Sequence, residues 1–402
     1  MKLNRRHFLG STAVAAAAAP ADFDAIRKEF PRATQQVYVD AAANMPLPTY
    51  TAEGMRRYND FHMYGAGEGR GQYASESIRQ AKVLFAKLIG AKPSEIAFVT
   101  CTKAGESAVV NGLRIQESGG NVVTNDLHYA GAIHDYIGRR KAGMDVRIVK
   151  HRDWRIDTRD MEKAMDKKTK LVSITLVSNV NGWVEDAKAI TAAAHANGAY
   201  VYADIIQAAG SVPVDVKALG LDFAACSCYK WLQGARGVGY LYVREDLQGS
   251  VVRDLCFPGY VHFNYPPWVG ARDAKAEEFP YIAPRGGERY QPGNVSYGGY
   301  AGQYEALKRM LALGVDNIYA HAKPMCDRLK KELPTQGHTL ITPPEAASSI
   351  VVVQVKDLKA VLGRLRKADV QVTSAGVNRI RISPAVYNNM EDIDKVLAAM
   401  AS

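Results

Sequence analysis

The sequence predicts an α/β fold, with a mostly parallel central sheet flanked by helices and a smaller C-terminal α+β domain. Three observations predict it. First, apolar β-type runs alternate with helical patterns from residue 76 to 245. Second, two of these runs stop at polar groups: Tyr200-Val201-Tyr202-Ala203 meets Asp204, and Phe223–Ser227 leads into Cys228-Tyr229-Lys230. Third, the rhythm changes beyond Tyr300 to two helices, a strand pair and a final helix.

Each element follows from its residues. Candidate strands are Ile96–Thr100, Asn121–Thr124, Val146–Lys150, Leu171–Leu176, Ala199–Ala203, Phe223–Ser227 and Gly239–Val243. Helical patterns at Glu76–Ile89, Gly105–Gln116 and Ala187–Asn197 occupy gaps between them. Strand–helix alternation of this kind builds parallel sheets with both faces covered. Ligands on such sheets sit beyond the C-terminal strand ends. Residues 256 to 294 break the pattern with Pro, Gly and aromatics, including Tyr260 and Tyr265-Pro266-Pro267-Trp268. A loop of that length is a substrate mouth or a contact between subunits.

The N-terminus reads as a twin-arginine export signal. Asn4-Arg5-Arg6-His7-Phe8-Leu9 precedes an Ala-rich stretch, and Ala19-Pro20-Ala21 is a small-residue cleavage site. Residues 1–21 are therefore expected to leave a chain that is already folded when it reaches the periplasm. After residue 21 no long uncharged apolar run exists, so no stable membrane insertion is expected of the remainder.

Several chemistries are excluded by spacing. Net charge is +10, but the densest basic stretch, Arg139 to Arg155, carries no nucleic-acid motif or aromatic platform. It reads as a solvated basic face, with no nucleic-acid partner. Gly65-Ala66-Gly67-Glu68-Gly69-Arg70-Gly71 fails the dinucleotide spacing and follows no strand. No P-loop, zinc-type His or Cys pair, or G-x-S-x-G elbow appears, and no metal is expected. The five cysteines, an odd number, read mainly as buried thiols.

Asp204 and Lys230 carry the chemical signal. A carboxylate at a buried strand end needs a cationic partner, for which a pyridinium nitrogen would serve. On its segment alone Asp204 reads equally as a cap for the next loop. A lysine beside aromatics at a strand end is held neutral and nucleophilic, or it snorkels to solvent. The pair, 26 residues apart, is far more specific than either residue.

The stretch from Leu171 to Arg244 resembles the class V aminotransferase family, which has fold type I and depends on pyridoxal 5′-phosphate (PLP). The family pattern is Ser-Asn-x-x-Gly, Asp-x-x-Gln and Ser-x-His/Tyr-Lys-Trp. The chain supplies Ser178-Asn179-Val180-Asn181-Gly182, Asp204 with Gln207, and Ser227-Cys228-Tyr229-Lys230-Trp231. The resemblance implies that Lys230 holds PLP as a Schiff base and moves the Cα proton. It gives Asp204 to the ring nitrogen, Gln207 to the phenolic oxygen, and Ser227 and Tyr229 to the phosphate. Asn179 joins the cofactor contacts, and His128 occupies the position of the ring-stacking aromatic and serves in catalysis. Thr102, Lys103 and Ala104 match the phosphate turn, where Lys103 replaces a usual Thr. Arg381, in Arg379-Ile380-Arg381-Ile382-Ser383, would clamp the substrate carboxylate. Asn294, in place of a usual Thr, would reach a partner's phosphate across a homodimer with shared active sites. The same resemblance divides the chain into a large domain over 40–300 and a small one over 301–402. Residues 22–39 are expected to pack with the small domain.

Two departures narrow the chemistry. The segment from Asp369 to Asn378 has no cysteine, where desulfurases of the family carry their nucleophile. Gly69-Arg70-Gly71 stands where several relatives have His-Arg-Gly. The expectation is transamination or a related change at the Cα of a small-molecule or peptide-like amino-acid substrate, such as an exported metabolite or siderophore precursor. A C–S or β-elimination lyase and an epimerase are the alternatives, and a binding module without catalysis comes last.

Overall fold

A computed structural model describes residues 22–253 and 284–401. The export signal, Cys256 and the aromatic stretch around Trp268 lie outside the described residues. Among these, thirteen strands follow one another: β1 (Val37–Tyr38), β2 (Ile96–Val99), β3 (Asn121–Asn125), β4 (Asp145–Val149), β5 (Thr169–Thr175), β6 (Tyr200–Asp204), β7 (Phe223–Ser227), β8 (Gly239–Val243), β9 (Thr339–Leu340), β10 (Val351–Gln354), β11 (Val370–Gln371), β12 (Thr373–Ser374) and β13 (Arg379–Ile382). All seven strands expected between residues 96 and 243 form.

Those seven make one sheet in the order β2-β8-β7-β6-β5-β3-β4. The pairs among β4, β3, β5, β6 and β7 are parallel, while β8 runs antiparallel to both neighbours. Alternate side chains enter two cores. Val201, Ala203, Ala224 and Cys226 join the larger one, whereas Tyr202, Phe223 and Ala225 join the other. In β6 and β7 the strand contributes apolar and aromatic residues until its C-terminal end, where Asp204 and Ser227 appear.

The C-terminal region is richer than two helices, a strand pair and a final helix. Strands β12, β13, β10 and β9 form a four-stranded sheet, and helix Leu358–Lys367 lies between β10 and β11. Two-residue strands are too short to show alternation, which is why the pattern hides them. The Asp357 side chain caps that helix by accepting from the Ala360 amide. A separate core forms here around Leu329, Val351, Val353, Ile380, Ile382 and Val396.

The N-terminal segment is tied to this core. β1 pairs in parallel with β11, and Arg27 makes a two-pronged ion pair with Asp392, at 2.5 and 3.0 Å. No helix among the described residues is long and apolar enough to cross a membrane. In the basic stretch, Arg139, Arg147, Lys150, Arg152 and Arg155 each lie within 4.0 Å of a carboxylate.

Candidate active site

Two adjacent strand ends build the centre. Asp204 closes β6 and is 3% exposed; its carboxylate accepts the Ile206 amide N–H at 2.9 Å. Lys230 lies just beyond β7 and is 7% exposed. Burial raises the Asp204 carboxyl and lowers the Lys230 ammonium, and the attraction between them offsets part of both shifts. The result is a lysine readily available as a free amine beside a carboxyl that lacks a close cation.

Gln207 has its amide orientation fixed. Its Nε2 donates to the Ala42 carbonyl at 3.0 Å, and its Oε1 accepts from Trp231 Nε1 at 2.8 Å. A second Nε2 hydrogen remains for a ligand oxygen. Tyr229 is half-buried, with Lys230 Nζ 5.7 Å and the Arg236 guanidinium 5.6 Å from its ring centre.

Thr102 and Ser227 lock a helix start against β7. The Thr102 amide donates to Ser227 Oγ at 2.8 Å, and the Ser227 amide donates to Thr102 Oγ1 at 2.9 Å. Helix Thr102–Gly112 begins here, so the first-turn amides, including those of Lys103 and Ala104, suit an anion. Close packing depends on Gly105, because a Cβ there would lie 2.7 Å from that of Ala225. The Lys103 ammonium turns instead toward Glu106 and Asp135, at 2.9 and 3.1 Å. What Lys103 can offer an anion is therefore its backbone amide.

His128 is 1% exposed. Its Nδ1 accepts the Tyr129 amide at 2.7 Å, so the neutral ring carries its proton on Nε2. Nε2 donates to Ser173 Oγ at 3.2 Å, and that hydroxyl donates to Glu106 Oε1 at 2.9 Å. Burial lowers the imidazole to about 4 against the pull of Glu106. Sequence reasoning missed Glu106 and Ser173, since nothing local separates them from helix and strand polar residues.

Arg381, on β13, is 6% exposed and faces the strand ends. Its Nη1 donates to the Asn179 carbonyl at 3.2 Å, and its Nη2 is 3.9 Å from Asp40. Burial lowers its guanidinium, with Asp40 opposing. Asp40 was also missed, although Val37-Tyr38-Val39-Asp40 repeats the apolar-run-to-carboxylate signature of Asp204. Asn294 stands apart from these buried groups and is exposed.

The buried atoms Arg381 Nε, Asn179 Oδ1 and Asp40 Oδ1 have no hydrogen-bond partner. Unsatisfied buried polar atoms at one centre mark a place for a polar ligand. PLP fits the donor set: a ring nitrogen for Asp204, a carbonyl carbon for Lys230, a phosphate for the helix start and Ser227. Arg381 is left for a carboxylate. Among the described residues no group of His, Cys, Asp and Glu could hold a metal ion.

Comparison with known proteins agrees with this geometry. Residues 37–396 match the family model "Aminotransferase class-V". A probable cysteine desulfurase of Methanothermobacter thermautotrophicus is 31% identical over 319 residues, covering 76% of this chain and 74% of that relative. An uncharacterized aminotransferase, YcbU, of Bacillus subtilis is 24% identical, covering 94% and 96%. Among solved structures, the apo cysteine desulfurase of Thermococcus onnurineus NA1 superposes with a TM-score of 0.81 at 23% identity, covering 96% of this chain and 98% of that one. A lysine variant of C-DES with glycine covalently linked to PLP gives 0.83 at 21%, covering 94% and 99%. The chain belongs to the class V aminotransferase family and is a PLP-dependent enzyme of fold type I.

Proposed function

We propose that this enzyme shifts the amino group of an amino-acid moiety by transamination-type chemistry at Cα, acting on an exported metabolite. The observation that carries the reading is Arg381, a buried guanidinium with an unpartnered Nε, set to clamp a carboxylate opposite Lys230. When bound, PLP supplies a sink for the electrons left when the Cα–H bond breaks. Asp204 holds a proton at the ring nitrogen and so keeps that sink effective. Lys230 takes the Cα proton and returns it, burial having lowered its ammonium below the usual lysine range. Asn179 holds Arg381 in register through its carbonyl. His128 covers the ring as a neutral imidazole.

A second reading, C–S lyase chemistry, is favoured by the likeness to a probable cysteine desulfurase and to the cystine C–S lyase C-DES. Persulfide transfer by a mobile thiol has less support. Cys226, Cys228 and Cys326 are buried, with thiols pushed up by burial, and Cys101 sits at the phosphate turn. We further propose a homodimer and export by the twin-arginine route, on the Asn294 turn and on Arg5-Arg6 respectively.

The test gives PLP-loaded enzyme a panel of amino acids with a keto-acid acceptor, then L-cysteine with a reductant. Keto-acid and amino-acid exchange supports transamination. Sulfide released with pyruvate and ammonia, without exchange, sinks it in favour of lyase chemistry, whereas sulfide released with alanine and lost in Cys256→Ser alone identifies a desulfurase.

A further inference from the structure

We propose that Arg379, stacked on Trp154, is a second anion-binding position beside Arg381 that selects amino-acid substrates carrying a further side-chain carboxylate. The proposal rests on the reading that Arg381 holds the substrate α-carboxylate. In β13, Ile380 and Ile382 enter the C-terminal core. Arg379 and Arg381 therefore share the opposite face, roughly 7 Å apart along the strand. Both meet the large sheet's loops. Arg381 bonds the Asn179 carbonyl, while the Arg379 guanidinium lies 4.6 Å from the Trp154 ring centre. Asn181 joins the two positions, because its Nδ2 donates to the Trp154 carbonyl at 2.8 Å.

The backbone under Trp154 is unusual. Arg152 and Arg155 exchange backbone hydrogen bonds at 2.9 Å, closing a two-residue turn. Asp153 and Trp154 both have positive φ, at 47° and 63°. Such turns favour Asn-Gly, and a bulky Trp at the second position is strained. The turn places the indole against Arg379, and the His151 ring stacks on it 4.5 Å away. Arg155 fastens the turn to Glu345 at 2.6 and 3.0 Å.

Arg379 has no carboxylate within ion-pair distance among the described residues, unlike Arg147, Arg152 and Arg155 nearby. A guanidinium stacked on an indole keeps its N–H edge open to an anion. With one carboxylate on Arg381, an acidic side chain of glutamate length reaches toward that edge.

The experiment titrates PLP-loaded full-length enzyme with L-glutamate and with L-alanine, reading binding from the change in cofactor absorbance. Wild type is expected to bind L-glutamate about tenfold more tightly. Arg379→Gln should remove most of that preference while changing L-alanine binding less than twofold. Trp154→Gly, which relieves the strained turn, should lower the preference without lowering the melting temperature. Absence of the preference in wild type, or equal losses for both ligands in Arg379→Gln, overturns the proposal. If Arg381→Gln leaves L-alanine binding intact, the carboxylate-clamp reading fails instead.

Discussion

At the residue scale, the site works by burying groups that would rather be solvated. Asp204, Lys230, Arg381 and Asp40 converge with few mutual hydrogen bonds, so their charges are tuned by a ligand. Asp204→Asn should still bind PLP yet lose turnover by about 100-fold or more, because the ring can no longer keep its proton. Normal turnover in that variant would remove Asp204 from the mechanism. Another buried carboxyl, Glu185, accepts from Asn125 and Trp183, and burial raises it to about 8. Its folded-state value exceeds the unfolded one, near 4.3. Its stabilising contribution is therefore complete below about pH 4 and is lost as pH rises through about 8. Glu185→Gln should flatten the fall in melting temperature between about pH 5 and 8 relative to wild type. An unchanged slope would show that Glu185 does not titrate in that window. Asp204 and Lys230 were legible because a charge after an apolar run is conspicuous. Glu106, Ser173 and Trp154 were not, because their roles arise from contacts between distant segments.

At the element scale, the proposed phosphate cradle depends on one helix start being held tightly against β7. The lock is the exchange between Thr102 and Ser227, and it closes only because Gly105 admits the Ala225 side chain. Gly105→Ala should push the helix outward, costing about 1–3 kcal/mol and weakening PLP binding. Thermal unfolding with and without PLP checks both effects. A stable variant with wild-type cofactor affinity would show that the cradle does not need this contact. β2, β6, β7 and β8 were legible because burial leaves nearly unbroken runs of apolar and aromatic residues. β9, β11 and β12 were not, since two residues show no period and their pairing is set by tertiary contacts.

At the scale of the whole molecule, the N-terminal segment ties the two ends of the chain. Arg27 and Asp392 are joined by two hydrogen bonds, and the same carboxylate accepts from Asn388 at 2.8 Å. Asp392→Ala leaves a half-buried guanidinium without its partner and should cost about 2–4 kcal/mol. Denaturant unfolding measures it, and a loss below about 0.5 kcal/mol would show that the tie is dispensable. The proposed export makes a separate prediction for the whole chain. Arg5→Lys with Arg6→Lys should trap full-length enzyme in the cytoplasm, and normal periplasmic accumulation of that double variant would refute the twin-arginine route.

The central claim, that Lys230 is the residue that carries PLP, has a direct test. Purified enzyme should be yellow, and borohydride reduction followed by peptide mapping should place the cofactor on Lys230. Lys230→Ala should lose both the colour and the adduct while remaining folded. An adduct on any other lysine, or a Lys230→Ala protein that retains the colour, would contradict the account.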